Sequence, residues 1–531
     1  MMKILLLLLV IWNCVVVHAL PSFQDIRKYA EQHHDYNYDK QPLDNTNYPQ
    51  VTESLIEQKV DHFDRSAFNT SFNQRYFVNE EFFDGTGPVF FCVGGEGPPL
   101  TKSVLVASDH CNDAVELAPS VGALLVSLEH RYYGPSVPEN TNTIRNGQFT
   151  NENLVHLNTE QALGDIANFI TFINTQFKLN EENKWFTFGG SYPGMLSALS
   201  RLRYPHLIYG SVSSSAPLKA QVDMQGYNDV VAEALAAVSV GGSSACASVV
   251  SEGHKQIGNL LLTDEGRRSL ESTFNICNPE SKPLDDSDNQ MMWAGNGVVY
   301  IPAQSNDPAC TSPYCNIEQI CSFLTTDDGS SEMDKLMKLS SQQHNDNCVS
   351  VNYKTLVMYY SYPKNPGRSW LFQTCNEWGF YQSCEENTKC PYTQGLHKFT
   401  SDLNLCETAF NISPDNVVYN IENALSLYGG YNIKGNRIMF LNGEVDPWKA
   451  NGVSSNPSKD TKVINGDKSN NKKLFDKDQD DLHHYCEGEP SFLVTGASHH
   501  YWTHAAQDTD SPEILAAKDV IWKQVTAWIK E

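Results

Sequence analysis

Six short apolar runs recur along the chain, each ending in glycines or polar residues. PVFFCVGGEGPP (88–99), GALLVSLEHRYYG (122–134), KWFTFGGS (184–191) and YGSVSSSAPL (209–218) come early. NRIMFLNGEVDPW (436–448) and PSFLVTGASHH (490–500) come late. Unbroken apolar stretches of this length predict strands buried on both faces, with functional loops at their C-terminal ends. Between the second and third runs, NTEQALGDIANFITFINTQF (158–177) sets Ala162, Leu163, Ile166, Phe169, Ile170, Ile173 and Phe177 at helical spacing. Asn158 precedes them as an N-cap residue, with Gln161 three positions on. A further amphipathic segment lies around 512–530. Strands alternating with helices predict an α/β fold with a mostly parallel sheet and right-handed crossovers. Residues 220–430 break the alternation. They carry helical stretches, polar loops and most of the cysteines, and predict an inserted, mainly helical domain containing disulfides. Residues 20–60, rich in Asn, Gln, Tyr and Asp, predict a loosely ordered approach to the first strand. The charged stretch 454–484 predicts a long solvated loop.

Charge narrows the partners. A formal net charge of -25 over 531 residues repels phosphate backbones and anionic membranes, so no nucleic-acid partner is expected. The N-terminus reads MMKILLLLLVIWNCVVVHALP: Lys3, an apolar run from Ile4 to Val17, then small residues at 17 and 19. This predicts a secretory signal over 1–19. A membrane anchor is the alternative, but the run is short for a span and no basic stop-transfer cluster follows. The expected destination is the secretory pathway, ending in the lysosome or vacuole or outside the cell, with no membrane contact once the signal is removed. Export makes disulfides the expected state of the cysteines. Of 14 Cys, Cys14 leaves with the signal, and the odd remainder leaves one thiol free or paired with another chain. Paired C-x-x-C spacings are absent, so no structural metal is expected, and nothing calls for a cofactor. Asn69-Thr70-Ser71 and Asn411-Ile412-Ser413 are N-glycosylation acceptors in an exported chain. A homodimer is compatible with this reading.

The third run leads straight into WFTFGGSYPGMLSALSRLRYPH (185–206), an apolar strand that stops at two glycines and a serine before an apolar segment begins. A strand that turns this abruptly into a helix exposes its turn residue at the sheet edge above the helix N-terminus, as in a nucleophile elbow. Gly189, Gly190 and Gly194 permit the close backbone approach, and Ser191 sits at the apex. A serine hydroxyl needs a base, and the base needs an orienting acid, in the order Ser, Asp or Glu, His. Asp446 in NGEVDPW and His499 in TGASHHYW both follow predicted strands and give that order. His500 competes with His499, whereas His483 and His484 fall in the charged stretch. The amide of Tyr192 is one expected oxyanion donor. Gly94 or Gly95 in VGGEG (93–97) supplies the second, unless those glycines form a plain tight turn. Glu96, Glu377 and Trp448 are candidate substrate-binding residues; Glu377, between aromatics, needs a partner if buried, either a substrate ammonium or a structural cation.

The motifs DHF, QRYF, VGGEGP, LEHRYYG, EQALGDIANFI, GGSYPGMLSA, SSSAPL, WLFQTCNEWGFYQ, NGEVDPW and GASHH occur in series from about residue 60 to 505. In this series the chain resembles the lysosomal Pro-X carboxypeptidase and dipeptidyl peptidase II family, and within it the thymus-specific serine protease branch. The resemblance implies an α/β-hydrolase domain in two parts, 20–219 and 431–531, carrying a helical cap over 220–430. It implies a serine exopeptidase, acting on peptides and often near proline, with Ser191 as nucleophile, Asp446 as orienting acid and His499 as base. Here Asp446 and His499 are further apart than is usual in that family, the charged stretch supplying the excess. An esterase or lipase using the same triad, and a catalytically inactive binding homologue, are the competing expectations.

Overall fold

A computed structural model describes residues 48–66, 70–108, 110–138, 149–466 and 490–531. The expected signal, Asn69, the histidines at 483 and 484 and most of the charged stretch lie outside these residues. Nine strands form one sheet in the order β1-β2-β4-β3-β5-β6-β9-β11-β10. They are β1 (Val51–Lys59), β2 (Ser71–Asn79), β3 (Val89–Val93), β4 (Leu124–Leu128), β5 (Trp185–Gly190), β6 (Gly210–Ser214), β9 (Ile438–Gly443), β10 (Thr461–Ile464) and β11 (Ser491–Val494). β2 pairs antiparallel with β1 and β4, and all other neighbours are parallel. Each of the six apolar runs forms one central strand. Every residue of β3, β4, β5, β6 and β9 is buried, as strands covered on both faces require.

Helices of six residues or more are numbered. Helix α1 (Thr159–Phe177) starts where Asn158 accepts the Gln161 amide, and α2 (Tyr192–Arg203) leaves β5 without a connecting loop. Helix α12 (Pro512–Lys530) buries Val520, Ile521, Val525 and Trp528 on the other face of the sheet, where Trp528 stacks on Phe186. One core thus lies under α1 and α2 and a second under α12. This is the α/β-hydrolase fold.

Between β6 and β9 the chain leaves the sheet. It forms α3 (Gln225–Ala236), α4 (Ser244–Leu261), α5 (Asp264–Thr273), α6 (Ile317–Leu324), α7 (Glu332–Gln343), α8 (Tyr353–Ser361), α9 (Arg368–Gln373), α10 (Phe399–Phe410) and α11 (Pro414–Tyr428). A two-stranded sheet, β7 (Gln221–Asp223) with β8 (Gly379–Tyr381), sits among them. Five disulfides close within this region: 246–321, 277–348, 310–315, 375–406 and 384–390. Cys92–Cys111 ties the end of β3 to the following helical turn. The two remaining cysteines of the sequence, Cys14 and Cys486, lie outside the described residues. No helix among the described residues is long and apolar enough to cross a membrane.

Two expectations need correcting. Residues 51–59, taken as loosely ordered, are strand β1: alternate residues Ile56 and Gln58 point inward, and register with β2 along the whole strand supplies the order that composition does not suggest. Thr461–Ile464, inside the charged stretch, is strand β10 at the sheet edge, where Ile464 alone is fully buried.

Candidate active site

Ser191 has φ 62° and ψ −130°, a positive-φ conformation that costs a non-glycine residue strain. Two devices hold it there. Its amide donates to the Ser214 carbonyl of β6 at 2.9 Å, and its own carbonyl accepts the Met195 amide at 3.0 Å, the first turn of α2. The turn is tight enough that a Cβ on Gly189 would run into the Pro193 carbonyl, and one on Gly194 would come within 2.8 Å of the Ser214 carbonyl. Pro193 lies in the first turn of α2, where its missing N–H costs nothing. Its ring also closes against the backbone of Gly95, leaving no room for a Cβ there. Proline in the elbow therefore packs it against the loop after β3.

Asp446 follows the end of β9 by three residues. Its Oδ1 accepts the Trp448 amide at 2.9 Å and caps the short turn Pro447–Asn451. His499 stands in the loop after β11, and its Nδ1 lies 2.9 Å from the same Oδ1, with both side chains buried. A Cβ on Gly443 would strike the carbonyls of Ala497 and Ser498, so the bare end of β9 is what admits the histidine loop. His500 is placed differently. Its amide donates to Ser215 Oγ at 2.9 Å, its Nδ1 pairs with Thr503 Oγ1 at 3.1 Å, and its ring covers Gly190, beside Ser191. Burial, reinforced by His499, His110 and His504, holds its pKa well below the ordinary histidine range. Of the two adjacent histidines, His499 is the one paired with the acid.

The loop glycines also separate. The Gly94 amide donates to the Leu128 carbonyl at 3.2 Å, extending the β3–β4 ladder, so of the two glycines its N–H is the one engaged in the sheet. Gly95 packs on Pro193. Tyr192 is the first residue of α2, where amides point outward from the helix. Its side chain is fully buried, and its hydroxyl meets His130 Nε2 at 3.2 Å. His130 Nδ1 donates to the Arg131 carbonyl at 2.7 Å, and burial lowers its pKa to about 4, so its Nε2 is an acceptor at neutral pH. Burial, with Glu377 and Glu96 nearby, keeps the Tyr192 phenol protonated far above its ordinary range.

Glu377 meets no cationic side chain among the described residues. Its carboxylate accepts the Thr159 amide at 2.9 and 3.1 Å and the Thr159 hydroxyl at 3.0 Å, capping α1; burial pushes its pKa up to about 7 against those bonds. Glu96 lies beside the phenols of Tyr133 and Tyr192. Trp448 is buried, its ring against Tyr227, Phe380 and His499, and its indole N–H donates to Gln304 Oε1 at 2.9 Å. Gln304 and Tyr227 carry no sequence signal: both sit in stretches without a motif. Asn411 is exposed, at the left-handed end of α10. No group of three or more His, Cys, Asp or Glu residues suited to a metal ion occurs among the described residues.

The profile of the serine carboxypeptidase S28 family matches residues 58–484. The human thymus-specific serine protease is 30% identical over 495 residues, covering 90% of this chain and 86% of that protein. The mouse thymus-specific serine protease is 30% identical over 496 residues, covering 90% and 87%. The human lysosomal Pro-X carboxypeptidase is 28% identical over 437 residues, covering 78% and 82%. The chain belongs to the serine carboxypeptidase S28 family and is a serine peptidase.

Proposed function

We propose that the protein is a serine exopeptidase that hydrolyses peptide bonds near proline through Ser191, His499 and Asp446. The observation that carries this reading is the buried 2.9 Å pair between His499 Nδ1 and Asp446 Oδ1, in a loop whose next residue, His500, covers Gly190 beside a serine held at positive φ. A carboxylate oxygen only accepts, so Nδ1 carries the shared proton and Nε2 keeps a lone pair for the serine proton. Ser191 Oγ then attacks the peptide carbonyl, His499 protonates the leaving amine, and water, deprotonated by His499, clears the acyl-enzyme. The amides of Tyr192 and Gly95 are the proposed oxyanion donors, each worth about 2.7–4 kcal/mol in comparable sites. The proline preference and the exopeptidase mode draw support from the relative named as a Pro-X carboxypeptidase. That relative's lysosomal name also supports passage through the secretory pathway to a lysosome. Residues 220–430 are proposed as the cap that narrows the site.

The test is labelling with a fluorophosphonate probe, then digestion of a peptide library with products identified by mass. Ser191→Ala is expected to abolish labelling and lower turnover at least about 10⁴-fold while leaving the melting temperature intact. Short-chain ester cleavage without peptide cleavage would replace the peptidase reading with an esterase. Internal cuts in the library would overturn the exopeptidase mode.

A further inference from the structure

The loop that carries His499 is held on one side by a segment of the inserted region. Gln304 receives the His499 amide on its main-chain carbonyl at 3.0 Å. One residue earlier in the loop, Ser498 Oγ donates to the Asn306 carbonyl at 2.8 Å, and two residues beyond His499 Tyr501 donates its hydroxyl to Asp307 Oδ1 at 2.9 Å. Three successive parts of the histidine loop therefore bond to residues 304–307. The side chain of Gln304 does a separate job. Its Oε1 accepts from the Trp448 indole at 2.9 Å and from the Tyr227 hydroxyl at 2.6 Å. Trp448 lies against the His499 ring, with centroids 6.2 Å apart, and its amide donates to Asp446 Oδ1. One glutamine thus touches the base through its backbone and the acid's turn through its side chain.

Packing alone does not fix that glutamine. On its far side is a cavity of about 30 Å³, lined by Asn296, Tyr300, Gln382 and Tyr392 together with Tyr227 and Gln304. A side chain bordering open space lacks neighbours on that face, so its hydrogen bonds must set its rotamer. The segment itself is anchored away from the site. Asn306 Oδ1 accepts the Ile317 amide at 2.8 Å, Asn316 donates to the Asp307 carbonyl at 3.3 Å, and Cys310–Cys315 closes the loop between them.

We propose that residues 304–307 brace the catalytic base, and that Gln304 is a positioning residue that sets the His499–Asp446 geometry through the Trp448 indole. The inserted region then completes the machinery as well as covering it. This rests on the Ser191–His499–Asp446 reading above, and the experiment separates the two. Each variant is titrated with the fluorophosphonate probe, and kcat and KM are measured per titrated site on a peptide substrate.

Gln304→Leu removes the shared acceptor and is expected to lower kcat at least tenfold, with KM changed less than threefold. Gln304→Glu keeps an acceptor oxygen and is expected to restore kcat to within threefold of the parent. The double variant Ser498→Ala/Tyr501→Phe cuts the brace from the loop side, leaves Gln304 untouched, and is expected to lower kcat by a similar factor. It covers the case in which Gln304→Leu does not fold. Full kcat per site in Gln304→Leu, or in the double variant if only that one folds, overturns the brace. A kcat lost equally in Gln304→Leu and Gln304→Glu overturns the role of the acceptor. Labelling that survives Ser191→Ala overturns the triad reading instead.

Discussion

At the scale of single residues, the site depends on contacts too close to admit a methyl group. Gly190 has an ordinary backbone conformation, so alanine is not excluded by its dihedrals. What excludes it is the His500 ring, whose Cγ would lie 2.7 Å from the new Cβ. Cγ is the root of that ring and stays in place when χ2 turns, so the ring clears the methyl only by changing χ1 and giving up its bond to Thr503 Oγ1. Gly190→Ala is expected to lower kcat per titrated site at least tenfold, with a small change in melting temperature; unchanged kcat would mean that the histidine loop is not seated on the elbow. Ser191, Asp446 and His499 were legible as candidates because each follows an apolar run, in an order that one fold demands. Gln304 was not, since an amide bridging two distant loops leaves no periodicity and no motif. Gly94 and Gly95 were inseparable for a related reason. Which amide is spent on the ladder depends on where β3 stops pairing with β4, and adjacent glycines do not encode that.

At the scale of elements, the buried pair Arg131–Asp165 ties the strand that precedes the site to the helix behind it. Arg131 Nε and Nη2 reach the two oxygens of Asp165 at 2.7 Å each, and its remaining N–H groups donate to the carbonyls of Lys59, Val60 and His156. His62 adds a contact to Asp165 Oδ1 at 2.7 Å. Burial alone would raise the Asp165 pKa, but Arg131 and His62 together outweigh it and the net shift is downward. The pair thus links β1, the exit of β4 and α1. Asp165→Asn leaves the guanidinium buried without its charge partner, which typically costs about 3–5 kcal/mol. The expected result is a clear drop in melting temperature with kcat per titrated site within twofold of the parent. Strands and helices that bury a continuous face were legible from hydrophobic pattern, including α1 and its Asn158 cap. The edge strands β1 and β10 were not. An edge strand buries few side chains, so its order comes from the neighbour it pairs with, which lies elsewhere in the sequence.

At the scale of the molecule, buried titratable groups set how stability follows pH. Burial pushes Glu377 and Asp113 up to about 7. The folded state therefore holds protons that the unfolded chain releases above its ordinary carboxyl pKa. This stabilisation is complete below that ordinary pKa and is lost as pH rises through about 7. Buried histidines act in the opposite sense. His130 and His254 fall to about 4 and about 3, and His500 lies well below its ordinary range. Their contribution is present above the ordinary histidine pKa and is lost on acidification, because only the unfolded chain then binds the protons. The two trends oppose each other between about pH 4.5 and 6.5, so the parent protein's melting curve varies only modestly there. A difference measurement isolates one group. Glu377→Gln keeps an acceptor for the Thr159 amide and cannot ionise. Its stability relative to the parent is expected to rise from pH 5 to pH 8 by up to about 3 kcal/mol, the free-energy equivalent of the Glu377 shift. Denaturant melts of both proteins at the two pH values give this number. A difference that stays flat would mean that Glu377 ionises as readily in the fold as in the unfolded chain, and that the cap of α1 puts no pH-dependent load on the elbow beside it.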